Sequence, residues 1–173
     1  MGCTQTNVQV DQQMQLEAKQ VKIDNNTFLV PDKQATMTAF RALDTNKSGK
    51  LDPNEILELF KTLGRPLEKE EFNKVLTLAD QDIDACLDEN EFYHLMYILS
   101  NSDFNDKEKI VFLMTDINCS GTIDSKELSL LLKKLEITAT QEKIEELVTS
   151  IADNADGTLS YNMFMALLAK LAE

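Results

Sequence analysis

The sequence predicts an all-α chain of four helix–loop–helix units, paired into two lobes with short β bridges between paired loops. Three observations carry this. Four twelve-residue segments begin 36 residues apart, at Asp44, Asp80, Asp116 and Ala152. Around each, apolar residues recur at offsets of three and four, the spacing of one helix face. The eighth residue of every segment is apolar too: Leu51, Leu87, Ile123 and Leu159.

Taken in chain order, residues 1–31 form an amino-terminal arm. It is rich in Gln and Asn, with scattered apolar positions at Val8, Val10, Met14, Leu16, Val21 and Ile23. Disorder and a short helix docked on a lobe are both open there. Residues 32–100 make the first lobe and 101–173 the second, with the polar run Ser100-Asn101-Ser102-Asp103 as the joint. Its neighbours either break there or run on as one helix. Phe40, Leu76, Phe112 and Val148 sit four residues before the segments and mark entering helices. Ile56, Phe92, Leu128 and Phe164 open the exiting helices, and Leu59, Leu95, Leu131 and Leu167 continue the same face. A single unit leaves that face exposed; pairing two units buries it, and the eighth residues then meet in an antiparallel bridge.

The segments themselves carry the chemistry. The first reads DTNKSGKLDPNE and the third DINCSGTIDSKE. Each places an acid first, oxygen side chains third, fifth and ninth, and a Glu last. Calcium takes oxygen ligands, and a terminal Glu is long enough to bind through both carboxylate oxygens. In loop one the ligands are Asp44, Asn46, Ser48, Glu55 and the carbonyl of Lys50, with Asp52 acting through water. In loop three they are Asp116, Asn118, Ser120, Glu127 and the carbonyl of Thr122, with Asp124 in the ninth place. Gly49 and Gly121 make the sharp turn at the sixth.

Loop two, DQDIDACLDENE, offers Asp80, Asp82, Asp84, Asp88, Glu91 and the carbonyl of Cys86. Its sixth residue is Ala85. A left-handed backbone there costs alanine about 1–2 kcal/mol, which predicts weaker binding but not its loss. Mutual repulsion of five acids favours filling the site. Loop four, ADNADGTLSYNM, keeps Asn154, Asp156 and Ser160 but has Ala152 first and Met163 last. A register shifted to Asp153 puts Thr158 at the turn and Ser160 at the apolar eighth position, so it is rejected. With one carboxylate left, loop four is predicted empty, a pairing scaffold for loop three. The expected load is two to three Ca2+ ions.

These residues resemble the EF-hand motif of the calmodulin and troponin C superfamily, and the resemblance covers roughly residues 32–172. It implies three readings. A sensor opens on calcium, exposes an apolar groove and regulates a protein partner, while a buffer barely opens. A structural, light-chain-like subunit grips a partner helix at any calcium level. Met37, Met96, Met114 and Met165 are candidate groove contacts. Leu dominates the face, favouring a dedicated partner, and the moderate charge of loops one and three favours sensor over tight buffer.

A formal net charge of −13 argues against nonspecific nucleic-acid binding and for a basic or amphipathic partner helix. Cys3, Cys86 and Cys119 show no pairing pattern and no secretory signal precedes them, so a cytoplasmic location is expected. No nucleophile–base pattern or phosphate loop suggests an enzyme, and the single histidine, His94, reads as a surface or groove residue. Gly2 with Thr6 matches the N-myristoylation pattern, and Cys3 is a candidate palmitoylation site. This start looks like those of acylated calcium sensors, including plant calcineurin-B-like and trypanosomatid flagellar calcium-binding proteins. One acyl chain anchors only marginally, so a membrane tether requires both Gly2 and Cys3.

Overall fold

Among the described residues the apolar spacing builds eight helices, and a pairing not anticipated from the sequence precedes them. The computed structural model describes residues 18–64, 66–102, 106–152 and 156–171. Among these, strands β1 (Lys19–Ile23) and β2 (Asn26–Val30) form a two-stranded hairpin. The helices are α1 (Lys33–Leu43), α2 (Pro53–Thr62), α3 (Lys69–Ala79), α4 (Glu89–Asn101), α5 (Lys107–Thr115), α6 (Ser125–Lys134), α7 (Gln141–Ile151) and α8 (Tyr161–Leu171). None of the described helices is long and apolar enough to cross a membrane.

Each loop is tied to its helices by backbone logic. The amides of Asp44, Asp80, Asp116 and Ala152 donate to the carbonyls of Phe40, Leu76, Phe112 and Val148, closing the entering helices. At the other end, Asp52 and Asp124 are N-caps of α2 and α6, each in a reciprocal box with the Glu three residues on. Pro53 occupies the first turn of α2, where its missing N–H is no loss.

The backbone groups into two units: Leu29–Ser100 in one, and Gln20–Phe28 with Asn101–Glu173 in the other. In the first, the core includes Phe40, Leu51, Ile56, Phe60, Val75, Leu87, Phe92 and Leu95. Phe40 and Phe92 meet with ring centroids 5.7 Å apart. Leu51 and Leu87 exchange two backbone hydrogen bonds of 2.8 and 3.0 Å, the bridge expected between eighth positions. In the second, Ile123 and Leu159 do the same at 2.9 and 2.8 Å. Phe112 there is ringed by Phe28, Tyr161 and Phe164 at 5.4, 5.3 and 5.6 Å.

Two expectations are corrected. Within the arm, residues 19–30 form neither a helix nor a disordered stretch; they form the hairpin. Val21 and Ile23 alternate on one strand and Phe28 and Val30 on the other. Asp24 takes φ 51°, the left-handed conformation that a two-residue hairpin turn needs. His94 is not on the surface: it is 2% exposed, with Nδ1 3.5 Å from Gln81 Nε2. Gly2, Cys3, Thr6, Asp103 and Asn154 lie outside the described residues.

Candidate metal-binding loops

In loops one to three the first Asp organises the turn by collecting inward-pointing amides. Asp44 accepts from Ser48 and Gly49, both at 2.9 Å. Asp80 accepts from Ile83 (2.7 Å), Asp84 (3.2 Å) and Ala85 (2.9 Å). Asp116 accepts from Ser120 and Gly121, both at 2.8 Å. Turning the sixth amide inward requires a left-handed residue: Gly49, Ala85 and Gly121 have φ of 82°, 64° and 81°. The fourth position is left-handed as well, at Lys47 (56°), Ile83 (63°) and Cys119 (57°). Nothing in those side chains signals it, and for a β-branched Ile such a conformation is strained.

The last Glu spans the ring from end to end. Glu55 Oε1 accepts from the Thr45 amide at 2.8 Å and Oε2 from Asp52 at 3.1 Å. Glu91 accepts from Gln81 and Asp88, both at 2.8 Å. Glu127 accepts from Asn118 and Asp124, both at 3.1 Å. The ninth residues, Asp52, Asp88 and Asp124, each use Oδ1 to accept two amides of the following helix. They therefore act as helix caps at the rim, a role that the D-x-x-E spacing signals.

The fifth and seventh positions also converge. Ser48 Oγ donates to the Lys50 carbonyl at 2.7 Å, and Ser120 Oγ to that of Thr122 at 2.9 Å. Asn46 Oδ1 accepts from the Ser48 amide at 2.8 Å. In loop two Asp84 Oδ1 accepts from the Cys86 amide at 2.9 Å. Calcium bound at about 2.4 Å keeps any two ligand oxygens within about 5 Å of each other. Carboxylate oxygens of Asp80, Asp82 and Asp84 all lie within 4.8 Å of one another, so they fit such an ion. In loop four, Asp156 is exposed and Ser160 is buried, its hydroxyl without a partner among the described residues.

Loop three is the most enclosed of the first three. Asp116 is fully buried, whereas Asp44 and Asp80 are only partly so. A Cβ on Gly121 would lie 2.8 Å from Ile23 Cδ1 and 3.0 Å from Phe28 Cδ2, so the hairpin rests on this loop. Gly49 has nothing within 4 Å at the equivalent point. Burial pushes the Glu127 carboxyl up to about 7, against the pull of the Asp124 and Asn118 amides. It also pushes the Cys119 and Cys86 thiols above their ordinary range.

Besides the backbone bridge, a side chain crosses between the paired loops of the first unit. Lys50 Nζ, in loop one, pairs with Asp82 Oδ2 of loop two at 3.0 Å and with Asp84 Oδ2. The hydrogen bonds it donates to Asp84 and then Asp82 hold the ammonium above its usual range, and Lys50 holds the Asp84 carboxyl below its own. In the second unit, Val111, Met114, Ile117, Leu130, Leu131, Leu135 and Leu168 line an apolar groove of about 300 Å³. Glu127 and Lys134 also border it. Of the other candidate groove methionines, Met96 is buried in the first core, while Met37 and Met165 are half-buried.

The arrangement agrees with known proteins. Residues 33–97 match the family described as an EF-hand domain pair. The chain is 30% identical over 138 residues to the calcium-binding protein CML38 of Arabidopsis thaliana, covering 79% of this chain and 78% of that one. It is 25% identical over 139 residues to the probable calcium-binding protein CML13 of Oryza sativa, covering 80% and 82%. The mitochondrial adenyl nucleotide antiporter SLC25A24 of Oryctolagus cuniculus is 35% identical over 123 residues, 71% of this chain but only 24% of the antiporter. Oxygen-lined loops at one period, bridged in pairs and matched along most of the chain, place it in a family: it belongs to the EF-hand calcium-binding proteins.

Proposed function

We propose that this chain is a calcium sensor that binds up to three ions, in loops one, two and three, and regulates a protein partner. The observation that carries it is the repeated ring, in three of the four loops: a first Asp that collects the amides of the turn and a last Glu that reaches back to the start of the loop. Calcium entry pulls the last Glu toward the ion, and that Glu begins the exiting helix. This is how ligation moves the helix and the apolar face attached to it. The groove beside α5, α6 and α8 suits one side of an amphipathic helix, and the charge of −13 favours a basic one. Loop four lacks carboxylates at both ends and serves as the fixed partner of loop three through the Ile123–Leu159 bridge. Acylation at Gly2 and Cys3 would hold the sensor at the cytoplasmic face of a membrane. Transport is not carried over from the antiporter, of which the chain matches about a quarter.

A light-chain-like subunit is the second reading, favoured by a fourth loop that has lost both terminal carboxylates yet stays bridged to loop three. Calcium titration by calorimetry, followed with an apolar-surface dye, separates the two. Binding near micromolar calcium with a rise in dye signal supports the sensor. Binding without a rise points to a buffer, and no binding leaves the structural subunit. Intact mass of the protein from its native cell tests the tether; an unmodified Met1 ends that part of the reading.

A further inference from the structure

Lys50 belongs to two loops at once. Its carbonyl faces the ring of loop one, where Ser48 Oγ meets it at 2.7 Å. Its ammonium crosses to loop two and pairs with Asp82 at 3.0 Å and with Asp84. The crossing is fixed by register: Lys50 precedes Leu51, which is hydrogen-bonded to Leu87 in the bridge joining the loops. The two acids it holds are the third- and fifth-position donors of loop two, part of the converging group with Asp80. The seventh positions of the other loops are Cys86, Thr122 and Thr158, so no other loop carries a cation there.

We propose that Lys50 is a tethered competing cation for loop two: calcium reaches Asp82 and Asp84 only by displacing its ammonium, and this sets the affinity of that loop. The inference rests on the calcium reading of loop two. A divalent ion and the ammonium draw on the same two carboxylates, Asp82 and Asp84, so binding is an exchange of one cation for another. Loop two carries five acids at its ligand positions, more than either neighbour, and would otherwise attract cations most strongly. Lys50 offsets part of that attraction from within the chain. The ion pairs are solvent-exposed, with side-chain exposures of 36%, 54% and 39% for Lys50, Asp82 and Asp84. Exposed pairs are weak, so the ammonium lowers affinity without closing the site.

The test is calcium titration of the full chain, with each loop followed through its own backbone amides by NMR: Gly49, Ala85 and Gly121. Lys50→Gln is compared with Lys47→Gln, which removes the same charge from the same loop but has no ion pair to loop two among the described residues. Lys50→Gln should tighten loop two by about two- to tenfold relative to Lys47→Gln, and Lys50→Arg should stay near wild type. In a Glu91→Gln background, which disables loop two, the effect of Lys50→Gln on total affinity should vanish. Equal loop-two affinity in Lys50→Gln and Lys47→Gln overturns the inference while leaving the calcium reading intact. Absence of calcium binding at loop two in wild type and Lys50→Gln alike overturns both.

Discussion

Replacing Gly121 by alanine adds a methyl group 2.8 Å from Ile23 Cδ1 and 3.0 Å from Phe28 Cδ2. Replacing Gly49 adds the same methyl at a matching φ, +82° against +81°, into open space. Both variants lose the freedom of glycine in a left-handed turn, which costs about 1–2 kcal/mol. That term cancels between them. What remains at Gly121 is overpacking, about 1–3 kcal/mol. Phe28 has no room to yield, since it is 1% exposed and its ring stacks on Phe112 at 5.4 Å. Alanine does not break the turn itself, because Ala85 occupies the equivalent place in loop two at φ 64°. Residue-resolved amide hydrogen exchange reads the two units separately, with Phe112, Ile123 and Phe164 reporting the second and Leu51 and Phe92 the first. Gly121→Ala should lower protection in the second unit by more than Gly49→Ala lowers it in the first. Adding Ile23→Val, which removes the closest carbon, should recover part of the loss. Equal costs for the two glycine variants, or no recovery, would refute a hairpin pressing on loop three.

Other expectations follow from the same geometry. Phe28→Ala should destabilise the second unit by about 3–5 kcal/mol, seen by urea denaturation; a loss below 1 kcal/mol would show that the hairpin is dispensable. Ala85→Gly should relieve the left-handed strain in loop two and stabilise the first unit by about 1 kcal/mol; unchanged or lower stability speaks against it. Burial raises Glu127 to about 7 from an ordinary 4.5. The calcium-free folded chain therefore keeps this proton where the unfolded chain has lost it. Its stabilising contribution is complete below the unfolded value and is lost as pH rises through about 7. Calcium needs the ionised carboxylate, so loop-three affinity should rise about tenfold from pH 6 to 8. Calorimetry in two buffers of different ionisation heat should show proton release at pH 6, and none there would exclude the effect.

Legibility from sequence divides along physical lines. The loop turns and the bridges were readable because both follow from fixed spacing: Glu55 reaching back to the Thr45 amide, or Leu51 opposite Leu87, depends only on that count. The caps at Asp52 and Asp124 were also written in the D-x-x-E pattern. The hairpin had a weaker signal, two five-residue strands around Asp24-Asn25, diluted by the polar arm before it. Its seat on Gly121 is a long-range contact with no local trace. The left-handed fourth positions stayed hidden because Lys47, Ile83 and Cys119 share no backbone preference. His94 was misplaced because the repeat assigns a single helix face to the core. In α4, Tyr97 and Ile98 are buried as well as Phe92 and Leu95, so more than one face is covered. The reach of Lys50 to Asp82 and Asp84 becomes visible only once the bridge sets the register.

The central claim is that calcium enters loops one, two and three and leaves loop four without an ion. Native mass spectrometry of the full chain at saturating calcium tests it most directly, alongside Glu55→Gln, Glu91→Gln and Glu127→Gln. The wild type should carry three ions and each of these variants one fewer, with Ser160→Ala in loop four leaving the count unchanged. No bound calcium, a fourth ion, or a count that none of the three glutamate variants lowers would contradict it.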